Sequence, residues 1–123
     1  MAGADVYHVE LELGREPQHP FGERGRVYHL YLPLRADGSL DAQALCGNHG
    51  CYRGKRLCVT DGAKDGRIVP RPGGGIIFEW GDTSLRRSIV MLNSGPLVVG
   101  DAVPVTEANG ELHEFQLISV RHI

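Results

Sequence analysis

Residues 6–13 read Val-Tyr-His-Val-Glu-Leu-Glu-Leu, and residues 27–34 read Val-Tyr-His-Leu-Tyr-Leu-Pro-Leu. Tyr7, Val9, Leu11 and Leu13 alternate with polar residues in the first stretch, and Tyr28, Leu30, Leu32 and Leu34 hold the same phase in the second. Successive side chains of a strand point to opposite faces, so each stretch is a strand with one buried and one wet face. Apolar residues at helical spacings of three and four are sustained nowhere, whereas period two recurs along the chain. The expected class is all-β. Two copies of a pattern 21 residues apart are too few for a solenoid, which needs about three stacked repeats; similar burial of two strands explains them.

Antiparallel pairing with matched apolar faces sets an odd residue of the first strand against an even residue of the second. The pairing expected is Leu11 with Leu30 and Val9 with Leu32, which brings Glu12 beside His29 on the outer face. Pro33 lacks a donor and marks a strand end, an edge or a bulge; an open edge there would suit a homodimer. The thirteen residues from Gly14 to Arg26 hold Pro17, Pro20 and three glycines and form a long loop. His19 in that loop, with Glu16 and Glu23, is a metal or acid–base group only if the loop is ordered.

Beyond these strands, residues 39–45 are the one plausible helix, two turns with Ser39 as cap and Asp41 in the first turn. Residues 56–60 form a short strand, and Gly62 to Gly75, rich in Gly, Pro and charge, reads as irregular. Ile76–Trp80 and Leu85–Leu92 make a hairpin around Gly-Asp-Thr-Ser. Near the C-terminus, matched faces require a three-residue loop, Ala108 to Gly110, with Gly110 at positive φ and Val103 opposite Phe115. The phase then switches from Phe115 and Leu117 to Ile118 and Val120, which implies a bulge near Leu117. Six or seven strands in one domain spanning residues 1–123 predict a small barrel or sandwich. Its core is Tyr7, Val9, Leu11, Leu30, Leu32, Ile76, Phe78, Val103, Val105, Phe115 and Leu117.

Composition agrees: 123 residues, 41% hydrophobic, 23% charged, net charge −2, the profile of one ordinary globular domain. No apolar run approaches the ~20 residues of a membrane helix, and Asp5, Glu10 and Glu12 stand where a secretory signal would be basic and then apolar. A cytoplasmic chain beginning near Met1, with no membrane partner, is expected. Twelve of the seventeen glycines fall between Gly14 and Gly75, which favours turns over helix. Gly73-Gly74-Gly75 has no following Gly-Lys-Ser/Thr or helix to hold a phosphate, and no Rossmann, HExxH or GxSxG pattern occurs.

The densest chemistry lies in the middle. Cys46, His49, Cys51 and Cys58 fall within thirteen residues and supply a Cys₃His set for a structural zinc, with three intervening glycines to let the backbone wrap an ion. The alternatives are plain thiols, with Cys58 packed as a small apolar residue, and a nucleophilic Cys51 beside His49 and a run of cations. Between Tyr52 and Arg71 six basic residues face Asp61 and Asp65. Tyr52, Arg53, Lys55, Arg56, Arg67, Arg71 and Trp80 are therefore the candidate ligand-binding set, able to attract an anion or stack a base. His8 and His29 fall on wet faces and read as surface residues; His113 and His122 have no diagnostic neighbours. The preferred reading is a non-catalytic module for a protein partner or a small anionic ligand. The alternative is a zinc-stabilised module for single-stranded nucleic acid.

Overall fold

The computed structural model describes residues 5–14, 23–47, 52–58, 62–80 and 86–123, with backbone alone for 23–25. Eight strands run in chain order: β1 (Asp5–Leu13), β2 (Glu23–Leu34), β3 (Arg53–Cys58), β4 (Gly62–Pro70), β5 (Ile76–Trp80), β6 (Arg87–Val90), β7 (Ala102–Thr106) and β8 (Leu112–His122), with one helix, α1 (Ala42–Gly47), between β2 and β3. Each strand pairs antiparallel with the next, and β8 pairs with β1 to close a barrel. The expected all-β class holds, with eight strands in place of six or seven. Closure leaves no sheet edge, so Pro33 lies next to the last residue of β2, opposite Val6, and offers no edge for a second copy.

An eight-stranded barrel is just wide enough for side chains to fill it. Tyr28, Phe78 and Phe115 are fully buried at its centre. The Tyr28 ring meets the other two edge to face, with centroids 5.8 and 5.2 Å away, the arrangement aromatic quadrupoles prefer. Room for Phe78 comes from two glycines paired across β3 and β4: a Cβ on Gly54 or Gly66 would stand 3.1 or 2.9 Å from its ring. All expected core residues are buried except Tyr7, which is half-buried against the cluster. Tyr28, Leu13, Ile68 and Val90 join them.

One end of the barrel is closed by apolar residues. Asp41 donates its N–H to the Pro33 carbonyl (2.9 Å) and accepts the Ala44 N–H on its side chain (3.0 Å), which makes Asp41 the cap of α1. Ser39 instead bonds Asp37, so the helix starts three residues later than its pattern suggests. Leu45, the buried residue of α1, joins the core cluster, to which Leu92 and Leu97 also belong.

The C-terminal hairpin matches expectation, with Val103 opposite Phe115, Gly110 at φ 88° and the Glu107 N–H bonded to the Glu111 carbonyl. The β1–β8 ladder shifts register between Leu117 and Ser119, the expected bulge. Four expectations need correction: β2 begins at Glu23, inside the loop expected to run to Arg26, and β3 begins at Arg53, three residues before the strand expected over 56–60. Residues 62–70 form β4 rather than an irregular excursion; here the neighbours β3 and β5 supply ladder bonds that outweigh poor local propensity. The β1–β2 pairing sets Val9 opposite Leu30, Leu11 opposite Tyr28 and Glu10 opposite His29. That register is two residues from the expected one and leaves every residue on its expected face.

Candidate functional site

The candidate ligand residues separate onto two faces of the sheet. In β3 the alternation sends Arg53, Lys55 and Leu57 outward and Gly54, Arg56 and Cys58 inward. Arg56 is buried at the end of the barrel opposite α1. Its terminal nitrogen and Nε each lie 3.1 Å from Glu107 Oε2, and its guanidinium covers the Trp80 ring at 5.6 Å. Tyr28 donates its hydroxyl to the same carboxylate oxygen (3.0 Å) and shares a 2.7 Å bond with Ser88. Burial, and then the Glu107 charge, push the Tyr28 hydroxyl far above its ordinary range. Burial works against the Arg56 charge, but Glu107 and Tyr28 outweigh it and hold the guanidinium protonated. This matched pair has the character of a structural element. Trp80 packs on Phe78 with centroids 5.7 Å apart.

Tyr52 is buried in the core, its carbonyl accepting the Ile68 N–H. Arg71 sits in the turn after β4, bonded to the Gly74 carbonyl. Arg67 points outward and pairs with Glu79 at 3.0 Å. Arg53 and Lys55 thus part company with Arg56, Tyr52, Arg71 and Trp80. They join residues that sequence reasoning assigns to plain surface.

Arg53 and Lys55 line a cleft of about 560 Å³ on the outer wall, together with His8, His29, Tyr31 and Asp65. Its residues come from four adjacent strands, and the ladders set them in rows. Glu10, His29, Lys55 and Asp65 are successive partners across β1 to β4, and Arg121, His8 and Tyr31 are partners across β8, β1 and β2. His8 faces outward yet is buried, flanked by the rings of Tyr31 and His29, each with its centroid 5.1 Å away. His8 Nε2 and His29 Nδ1 are 2.9 Å apart. The two ring planes lie within 12° of each other, so the imidazoles meet edge to edge. Arg121 lies 3.1 Å from His8 Nδ1, and Glu10 Oε1 lies 3.8 Å from His29 Nδ1. Burial first, then the charges of His29 and Arg121, lower the His8 pKa below its ordinary value, against a weaker opposing effect of Glu10. Lys55 stands 3.7 Å from Asp65, and among the described residues Arg53 has no carboxylate partner.

His8, Glu10 and His29 are also the group of described residues whose ligand atoms converge closely enough to suggest a metal, all within 4.8 Å. Of the residues expected to hold zinc, Cys46 is exposed on α1 and Cys58 is buried at the far end of β3. Five residue steps separate Cys58 from Arg53 at the near end, roughly 17 Å at about 3.4 Å per residue. His49, Cys51 and His19 lie outside the described residues. No helix among the described residues is long and apolar enough to cross a membrane. Comparison of the chain with protein-family models, with curated proteins and with solved structures gives no match.

Proposed function

We propose that this chain is a non-catalytic binding module that takes a small anionic ligand, or the anionic group of a larger partner, in the outer-wall cleft over β1 to β4. One observation carries the reading: Arg53, Lys55, His8, His29 and Tyr31 converge on a concavity of about 560 Å³, inside the size range of small-molecule sites. The barrel interior leaves a ligand no comparable room, because Tyr28, Phe78 and Phe115 are fully buried within it. The cleft combines the weakly hydrated guanidinium of Arg53, the ammonium point charge of Lys55, imidazole and one exposed aromatic edge, a set suited to carboxylate or phosphate.

The test is a titration of isotope-labelled full-length protein with inorganic phosphate and with acetate, followed by amide chemical shifts. Saturable shifts confined to β1–β4 around His8, His29, Arg53 and Lys55, and reduced by Arg53→Ala, support the reading. Binding of a single-stranded oligonucleotide with steep salt dependence, centred on Arg53 and Arg67, would support instead the alternative of a nucleic-acid partner whose phosphates track the basic strands.

A further inference from the structure

We propose that Arg121 and His8 set the tautomer of His29, so that His29 presents a polarised Nε2–H into the cleft as the donor that receives an oxyanion of the ligand. This deepens the anion-binding reading and rests on it for the ligand, though not for the tautomers.

The direction of the chain follows from what each group can do. A guanidinium only donates, so Arg121 bonded to His8 Nδ1 at 3.1 Å makes that nitrogen an acceptor. The His8 proton therefore sits on Nε2. Nε2 faces His29 Nδ1 at 2.9 Å, so His29 accepts there and carries its own proton on Nε2. In an imidazole Nε2 lies across the ring from the Nδ1 lone pair, and the two rings meet edge to edge. Nε2 therefore points away from His8. Among the described residues it has no hydrogen-bond partner, while His29 lines the cleft beside Lys55 and Arg53.

Each bond in such a chain polarises the next, so a cation at one end strengthens the donor at the other. Arg121 and Glu10 do not line the cleft; Arg121 acts from behind, through His8, while Glu10 stands 3.8 Å from His29 Nδ1, beyond hydrogen-bond reach of a nitrogen already occupied by His8. Arg121 is a positioning residue.

A metal held by His8, His29 and Glu10 is the competing use of the same atoms. With metal–nitrogen bonds of about 2.0–2.1 Å, an ion bound by both imidazoles sits off the line joining the nitrogens, and each ring must turn by about 35–45° to aim at it. The ion would also displace the His8 Nε2 proton to Nδ1, where Arg121 already donates. The edge-to-edge bond and the guanidinium both favour the proton chain.

The experiment uses full-length protein with ¹⁵N-labelled histidine rings. Expected in the free protein are the Nε2–H tautomer for His8 and for His29. Arg121→Ala should release the His8 tautomer and weaken phosphate binding several-fold, although Arg121 is outside the cleft; Arg121→Lys, which still donates, should restore much of both. Phosphate should move His29 Nε2 more than Nδ1. An Nδ1–H tautomer at either histidine overturns the inference, as does phosphate that shifts the Arg53 and Lys55 amides while leaving His29 Nε2 in place. If phosphate and acetate shift nothing in the cleft, the anion reading itself fails. Stoichiometric zinc that shifts both His8 Nε2 and His29 Nδ1 assigns these atoms to a metal and also overturns the proposal.

Discussion

Removing Glu107 should cost this protein about 3–5 kcal/mol, the range for breaking a buried ion pair from one side. The side chains of Arg56 and Glu107 are 9% and 6% exposed, so water screens the pair poorly. Two Arg56 nitrogens and the Tyr28 hydroxyl converge on Glu107 Oε2 at 3.0–3.1 Å. Glu107→Ala strips a carboxylate from a guanidinium that stays buried against Trp80. Total stability for 123 residues is on the order of 6–18 kcal/mol, so the variant folds but is weakened. At a urea slope of about 2 kcal/mol per molar, the midpoint should fall by about 1.5–2.5 M with the slope unchanged. The double variant Arg56→Met with Glu107→Leu removes both charges together and should lie within about 1 kcal/mol of the parent, or above it. Tyr28 gives a second readout: with the Glu107 charge gone it should ionise at lower pH than in the parent, while burial, the larger cause, holds it above its ordinary 10. A loss below about 1 kcal/mol for Glu107→Ala, or a double variant as unstable as the single, would show that packing and not charge matching governs this end of the barrel.

Three further outcomes follow. His8 has a folded pKa below its ordinary 6.5, so the unfolded chain takes up the extra proton first. The His8 contribution to stability is therefore full above about pH 6.5 and declines as pH falls toward the folded value; ring NMR should find His8, which faces His29, Tyr31, Glu10 and Arg121, titrating below 6.5. Gly66→Ala should destabilise by at least the ~1–3 kcal/mol of core overpacking, because its Cβ would overlap the Glu79 carbonyl and press on Phe78; a neutral result in urea melts would refute the close β4–β5 approach. Leu45→Ala, at the buried residue of α1, should cost about 2–5 kcal/mol and raise proteolysis within 42–47, whereas a loss under about 1 kcal/mol would mean Leu45 does not tie α1 to the core.

Parity is legible in a strand sequence because it is local: whether Val9 faces in or out is decided by its neighbours within β1. Face assignments therefore stand at Val9, Leu30, Val103 and Phe115, and the bulge between Leu117 and Ser119 is visible because the phase itself changes. Register is not local. Sliding β1 by two residues along β2 keeps every apolar side chain inside and exchanges one apolar pair for another, Leu11 with Tyr28 for Leu11 with Leu30, at little cost in buried area. What selects the observed register includes the volume of Tyr28, which must sit where Ser88 and Glu107 satisfy its hydroxyl. That requirement joins residues 60 and 79 positions apart in sequence, beyond any window of periodicity.

The candidate site inherits this uncertainty in full. Two Val-Tyr-His segments of equal phase place His8 and His29 on one outer face, and that much is readable. Their hydrogen bond exists only in the register that sets Glu10, not Glu12, beside His29. Arg121 arrives from the far end of the chain by barrel closure, and the bulge that skips Ile118 shifts it into phase with His8. Without that extra residue, Val120 and not Arg121 would stand on the outer face, and no cation would donate to His8 Nδ1. A single-residue irregularity in β8 thus decides which way the proton chain runs.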